Sequence, residues 1–80
     1  MMTSAEDIRN WLVARLAELL DMSAAEIAEA STLEELGADS LTIARLTEDL
    51  REATGAVLPP TLMYDVQGFD ALVAAVTHLA

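Results

Sequence analysis

The sequence contains no cysteine and no lysine, and only one histidine and one tryptophan occur among its 80 residues. Without cysteine, the chain can form neither a disulfide bond nor a thiolate metal site. The absence fits a reducing compartment. Any thiol that takes part in the chemistry of this chain must therefore be supplied from outside it.

Long hydrophobic runs are also absent. The longest apolar run, Ala71 to Val76, is far shorter than the ~20 residues that a membrane-spanning helix needs. The first residues contain no basic region followed by an apolar stretch, so they do not resemble a signal peptide. We therefore expect a soluble, cytoplasmic protein with no membrane partner.

Basic side chains are scarce, since four arginines face fourteen acidic residues and the net charge is −10. Nucleic acids are bound through lysine and arginine, so this composition excludes them and favours basic protein partners. The acidic residues lack the spacing of a calcium loop, and no phosphate-binding loop is present. The only histidine, His78, lies near the end of the chain, away from any candidate nucleophile. We expect no metal site and no catalytic residue.

Alanine and leucine dominate the chain, and both favour helices over strands. Apolar residues make up 54% of the sequence, which is enough for a folded core. The length predicts one domain over 1–80, which buries only ~60% of the surface of its unfolded chain. So small a domain has little room for an enclosed active site. We therefore expect a monomeric binding or carrier module and not an enzyme.

Apolar residues at helical spacing predict three main helices. The first runs from about Ser4 to Leu20 behind a capping box that begins at Thr3, and the second from Ser40 to just before Gly55. The last carries an apolar stripe of Phe69, Leu72, Val73, Val76 and Leu79. Short helical turns are expected after Ser23, Ser31 and Thr61. The pattern predicts an all-α bundle of three main helices plus one or two short helices.

The second main helix has two faces on a helical wheel. The inward face carries Ile43, Leu46, Thr47, Leu50 and Ala53. The outward face carries Leu41, Arg45, Glu48, Asp49 and Glu52. The core stripe does not include Leu41, so we expect this leucine to be exposed.

The segment Gly37-Ala38-Asp39-Ser40-Leu41 resembles the phosphopantetheine attachment motif of acyl carrier proteins. Farther along, the pairs Thr54-Gly55, Leu58-Pro59 and Tyr64-Asp65 resemble the carriers of polyketide synthases. Asp39 is suited to cap the second main helix, which leaves Ser40 at its first position. There the unpaired backbone N–H groups and the helix dipole favour a phosphate. Gly37 permits a tight turn that leaves the serine hydroxyl unshielded.

The resemblance implies that a phosphopantetheinyl transferase attaches 4'-phosphopantetheine from coenzyme A to Ser40, which Gly37, Asp39 and Leu41 surround. The arm supplies the thiol that the chain lacks and holds acyl groups as thioesters. The implied partners are an acyltransferase or an acyl/aminoacyl ligase, and a ketosynthase or other pathway enzymes. The residues expected to dock them are Leu41, Arg45, Glu48, Asp49 and Glu52.

Two positions qualify the resemblance. Many carriers have an acidic residue where this chain has Arg45, which indicates a different choice of partner. Ala38 stands where peptidyl carriers of non-ribosomal synthetases usually have a second glycine, which favours an acyl carrier of polyketide or related secondary-metabolite biosynthesis. Met63 is a candidate to line a groove for the acyl chain.

Two alternative functions stay open from the residues alone. One is an aminoacyl or peptidyl carrier of a hybrid or non-ribosomal pathway. The other is an acidic helical adaptor without a prosthetic group, which would take no phosphopantetheine on Ser40.

Overall fold

The computed structural model describes residues 4–66 and 68–80, and within these ranges five helices follow one another. They are α1 (Ala5–Leu20), α2 (Ala24–Glu29), α3 (Ser40–Thr54), α4 (Leu62–Asp65) and α5 (Phe69–Leu79). Three of them are long and two are short. The predicted all-α bundle is therefore confirmed.

Serine side chains begin the first two helices. The hydroxyl of Ser4 accepts a hydrogen bond from the N–H of Asp7, and that of Ser23 accepts one from Glu26. Each bond satisfies a backbone donor that has no partner within its helix. The cap predicted at Thr3 lies outside the described residues, and the observed cap of α1 is Ser4.

The segment between α2 and α3 forms hydrogen-bonded turns. The N–H of Glu35 donates to the hydroxyl of Thr32, and the carboxylate of Glu35 accepts from the N–H of Ser31. The turns end at Gly37, whose φ of 75° is in the left-handed region. These two hydrogen bonds between Glu35 and the residues Ser31 and Thr32 hold the connector that leads to the start of α3.

The core lies where α1 packs against α2, α3 and α5. Its fully buried side chains on these helices are Ile8, Leu12, Leu16, Ile27, Leu46, Leu50, Leu72 and Val76. Burying one such side chain contributes roughly 1.5–3 kcal/mol. Leu79 stays exposed although the predicted stripe of the last helix included it. Within the described ranges, no helix is long and apolar enough to cross a membrane.

An arginine fixes the connector between α3 and α4. Arg51 donates to the carbonyl oxygen of Leu58 from Nη2 at 2.6 Å and from Nε at 3.2 Å. Leu58 is buried beneath this contact, while Val57 and Pro59 on either side are exposed. These two hydrogen bonds from Arg51 hold the extended connector against α3 and so keep the following helix, α4, near α3.

Candidate functional site

Ser40 is exposed and is the first residue of α3. The residue before it, Asp39, is the N-cap, and its Oδ1 accepts a hydrogen bond from the N–H of Thr42 at 2.8 Å. The hydrogen bonds from the backbone and side chain of Thr42 hold the pKa of Asp39 below its ordinary value. Asp39 is therefore ionised at neutral pH, and the predicted start of this helix is confirmed.

The start of α3 consequently already holds one negative charge. The carboxylate of Asp39 occupies the Thr42 N–H, which is one of the donors that a phosphate on Ser40 was expected to use. The helix dipole stabilises this carboxylate first. A phosphate on Ser40 would be a second anion at the same helix end, so the exposed hydroxyl is stronger support for an attachment site than the dipole.

A glycine is needed at position 37 because of the backbone conformation there, and not because a side chain would collide with its surroundings. Its φ of 75° is unfavourable for residues that carry a Cβ atom. A Cβ atom built on Gly37 would nevertheless meet no atom within 4 Å. The glycine therefore allows the turn that leads into Asp39 and Ser40, and the surroundings of that turn are open.

One stripe of side chains runs along the open face of α3 from the residue after Ser40. Leu41 is 78% exposed, and 64% of the side chain of Arg45 is exposed. Glu48 and Glu52 follow on the next two turns and are also exposed. These four residues, which we call the outer stripe, are three or four positions apart and therefore share one face.

The structure corrects the predicted position of Asp49. Only 20% of its side chain is exposed, because Arg15 of α1 reaches its Oδ2 from Nε at 2.8 Å and from Nη2 at 2.6 Å. The hydrogen bond to Asp49 raises the pKa of Arg15. Arg45 lies 3.7 Å from the same oxygen. Asp49 thus faces α1 and ties it to α3, and it is not part of the outer stripe.

A cleft of about 420 Å³ opens beside the start of α3. Its walls come from the connector before α3, from α3 itself and from α4. The lining residues are Leu33, Glu34, Gly37, Ala38, Asp39, Ile43, Met63 and Tyr64. We call it the Ser40 cleft because Gly37, Ala38 and Asp39, which directly precede Ser40, line it; Ser40 itself is not among its lining residues. Met63 is among these residues, although its side chain is almost fully buried.

Sequence reasoning missed the contribution of Tyr64 and Ile43 to this cleft. The sequence identifies Tyr64 only as part of a motif, and Ile43 only as part of the inward face of its helix. The available signal was the adjacency of Met63 and Tyr64 on a helix that follows two prolines. Because α4 has only four residues, Met63 and Tyr64 lie close together directly after the connector that joins α3 to α4.

Among residues 4–66 and 68–80, no group of three or more histidine, cysteine or acidic side chains is placed to hold a metal ion. His78 is exposed in the last turn of α5.

A family model described as the phosphopantetheine attachment site matches residues 10–76. The matched range begins within α1 and ends within α5, so it contains the start of α3 and the walls of the Ser40 cleft. No curated protein matches the chain.

Proposed function

Because the chain belongs to the family that carries the phosphopantetheine attachment site, we propose that Ser40 is the residue that bears its arm. A member of this family is a carrier protein whose cofactor is 4'-phosphopantetheine. The cofactor supplies the thiol that a chain without cysteine lacks. The observation that carries the assignment to Ser40 is its exposed hydroxyl at the first residue of α3, directly after Asp39.

The other serines of the chain are less suited to attachment. The hydroxyls of Ser4 and Ser23 accept the cap bonds of α1 and α2. The carbonyl oxygen of Ser31 accepts from the N–H of Phe69, and its N–H donates to the carboxylate of Glu35, so both backbone groups of this serine are engaged in the connector before α3. Ser40, in contrast, is the first residue of a long helix and directly follows Asp39, which lines the cleft.

The residues around Ser40 present the hydroxyl and do not catalyse its modification. Asp39 fixes the first turn of α3 through Thr42, and Gly37 makes the turn that brings the chain there. The carboxylate of Asp39, which adjoins Ser40, accepts from the N–H of Thr42 as the cap of α3. The chain is therefore a substrate of a phosphopantetheinyl transferase and a carrier for its partners, not an enzyme.

The outer stripe is the surface on which we expect these partners to dock. It begins one residue after the attachment site and offers an apolar side chain, Leu41, that the fold does not use. Arg45 follows one turn on, and the acidic Glu48 and Glu52 come next. A partner that fits this order has an apolar contact, then an acidic group, then basic groups.

We assign the carrier to polyketide or related secondary-metabolite biosynthesis. The support for this assignment is the resemblance of the pairs Thr54-Gly55, Leu58-Pro59 and Tyr64-Asp65 to the carriers of polyketide synthases. Gly55 ends α3 with a φ of 70°, Leu58 is buried in the connector, and Tyr64 with Asp65 closes α4. The enzymes expected to act on the arm are an acyltransferase or acyl ligase and a ketosynthase.

Peptide mapping tests the attachment site. The protein is incubated with coenzyme A and a broad-specificity phosphopantetheinyl transferase, digested, and sequenced by tandem mass spectrometry. We expect one phosphopantetheine group, on Ser40. An arm on Ser31, or no arm on a folded protein, would contradict the assignment.

A further inference from the structure

Asp49 lies between two arginines that belong to different helices. Arg15 of α1 donates a hydrogen bond from Nε to its Oδ2 at 2.8 Å, and Nη2 of Arg15 lies 2.6 Å from the same atom. Nε of Arg45 on α3 comes within 3.7 Å of this oxygen, which is longer than a hydrogen bond. One carboxylate oxygen thus has two cationic neighbours, and of these two Arg15 is the one that is hydrogen-bonded to it.

The guanidinium of Arg15 is held on both sides. Its Nη1 donates to Oε2 of Glu18, one turn farther along α1, at 3.0 Å. Only 26% of the Arg15 side chain and 20% of the Asp49 side chain are exposed, whereas 64% of the Arg45 side chain is exposed. Because a charge-assisted hydrogen bond is stronger where water is largely excluded, Arg15 holds Asp49 more firmly than Arg45 does.

The order of the two residues along α3 also weakens the pairing of Arg45 with Asp49. They are four positions apart, and the arginine comes first. An acidic residue that precedes a basic one is the favourable order in a helix, so this pair has the less favourable one. An exposed arginine also loses conformational freedom when it is held in one geometry. The guanidinium of Arg45 is therefore free to bind a group outside the chain.

Compensation by Arg15 decides which charge the outer stripe presents. Without Arg15, Asp49 would be a partly buried carboxylate whose remaining cationic neighbour is Arg45. An unpaired charge at such a position is unfavourable, so the gap of 3.7 Å between Arg45 and Asp49 would close. The guanidinium of Arg45 would then neutralise Asp49. With Arg15 present, this cation stays available between Leu41 and Glu48.

We propose that Arg15 is a positioning residue for docking: by holding Asp49, it keeps the guanidinium of Arg45 free to bind a carboxylate of a partner. The consequence for docking rests on the proposed role of the outer stripe. Arg15 belongs to α1 and is not part of that stripe. The choice of partner therefore depends on a residue outside the surface that the partner contacts.

NMR of the free carrier tests whether Arg15 governs Arg45. The Nε–Hε cross-peak of Arg45 is recorded in the unsubstituted protein and in Arg15→Gln. We expect Arg15→Gln to move the Hε proton downfield and to slow its exchange with water, because Arg45 then pairs with Asp49. Arg9→Gln is the matched control, since Arg9 is on the same helix and pairs with Asp70 of α5. It removes the same charge and one ion pair, and it should leave the Arg45 signal unchanged.

A small carboxylate probe measures how available Arg45 is to a partner. The relaxation of its Hε proton by anionic carboxy-PROXYL is divided by the relaxation by neutral carbamoyl-PROXYL, a nitroxide of similar size. At low ionic strength, we expect Arg15→Gln to lower this ratio roughly two- to fivefold. Arg9→Gln should leave the ratio nearly unchanged. The double variant Arg15→Gln/Asp49→Asn should restore it, which a merely structural role of Arg15 would not do.

An unchanged Arg45 signal and ratio in Arg15→Gln, or no restoration in the double variant, would overturn the inference. If Arg15→Gln does not fold, additivity decides in chains that keep Arg15. The effects of Arg45→Gln and Asp49→Asn on stability should then add, because Arg45 is not bound to Asp49, and non-additive effects would overturn the inference. These measurements need no partner. Whether the outer stripe docks partners is decided separately, by the effect of Leu41→Ala on kcat/KM for modification of Ser40.

Discussion

Replacing Leu41 by alanine separates docking from folding. Leu41 is 78% exposed in the free protein, so its truncation should change the free energy of unfolding by no more than ~0.5 kcal/mol. Truncation removes about three methylene equivalents, worth ~0.8 kcal/mol each when buried. If a partner buries the exposed 78%, the loss of docking energy is at most about 1.9 kcal/mol, which is roughly twentyfold in affinity.

The matched control is Leu46→Ala, a truncation of the same residue type on the same helix. Leu46 is 0% exposed, so its replacement should destabilise the protein by ~2–5 kcal/mol. Urea unfolding measures stability, and kcat/KM for modification of Ser40 by a transferase measures docking. Unchanged kcat/KM in Leu41→Ala would refute a docking role for Leu41. A large loss of stability in that variant would refute its exposure.

Three further predictions concern the helix ends. Asp21 is left-handed, with a φ of 53°, and is acidic at the C-terminal end of α1, so Asp21→Gly should raise the free energy of unfolding by ~0.5–1 kcal/mol, measured as a higher Tm. Gly55 has a φ of 70°, so Gly55→Ala should lower it by ~1–2 kcal/mol, measured by urea unfolding. Folding lowers the pKa of Asp39. The stabilisation of the folded state by its carboxylate is therefore fully present above the unfolded pKa and is lost as the pH falls through the folded pKa. The stability difference between the unsubstituted protein and Asp39→Asn should therefore be constant above about pH 5 and shrink below about pH 4, followed by urea unfolding across that range; a difference that grows at acid pH would contradict this.

The features predicted best from the sequence depend on local interactions. The bounds of α3 follow from Asp39 at one end and Gly55 at the other, and both residues act on backbone groups within one turn of themselves. Ser40 was placed correctly at the first helical position because its neighbours decide that position. The exposure of Leu41 followed from the helical wheel alone.

The features that sequence reasoning missed depend on tertiary packing. A helical wheel gives the angle of Asp49 around its helix but not the side of α3 against which α1 packs. That packing brings Arg15 within hydrogen-bond distance of Asp49. The Ser40 cleft needs α4 to lie beside the start of α3, and the bond from Arg51 to Leu58 helps to hold it there. Contacts between residues that are distant along the chain leave no periodic signal in it.

The central claim is that Ser40 bears the arm, and intact mass spectrometry of three proteins tests it most directly. The unsubstituted chain, Ser40→Ala and Ser31→Ala are each incubated with coenzyme A and the same transferase, and circular dichroism confirms that each is folded. We predict that the unsubstituted chain and Ser31→Ala gain the mass of one phosphopantetheine group, while Ser40→Ala gains none. A folded Ser40→Ala protein that still acquires this mass would contradict the account.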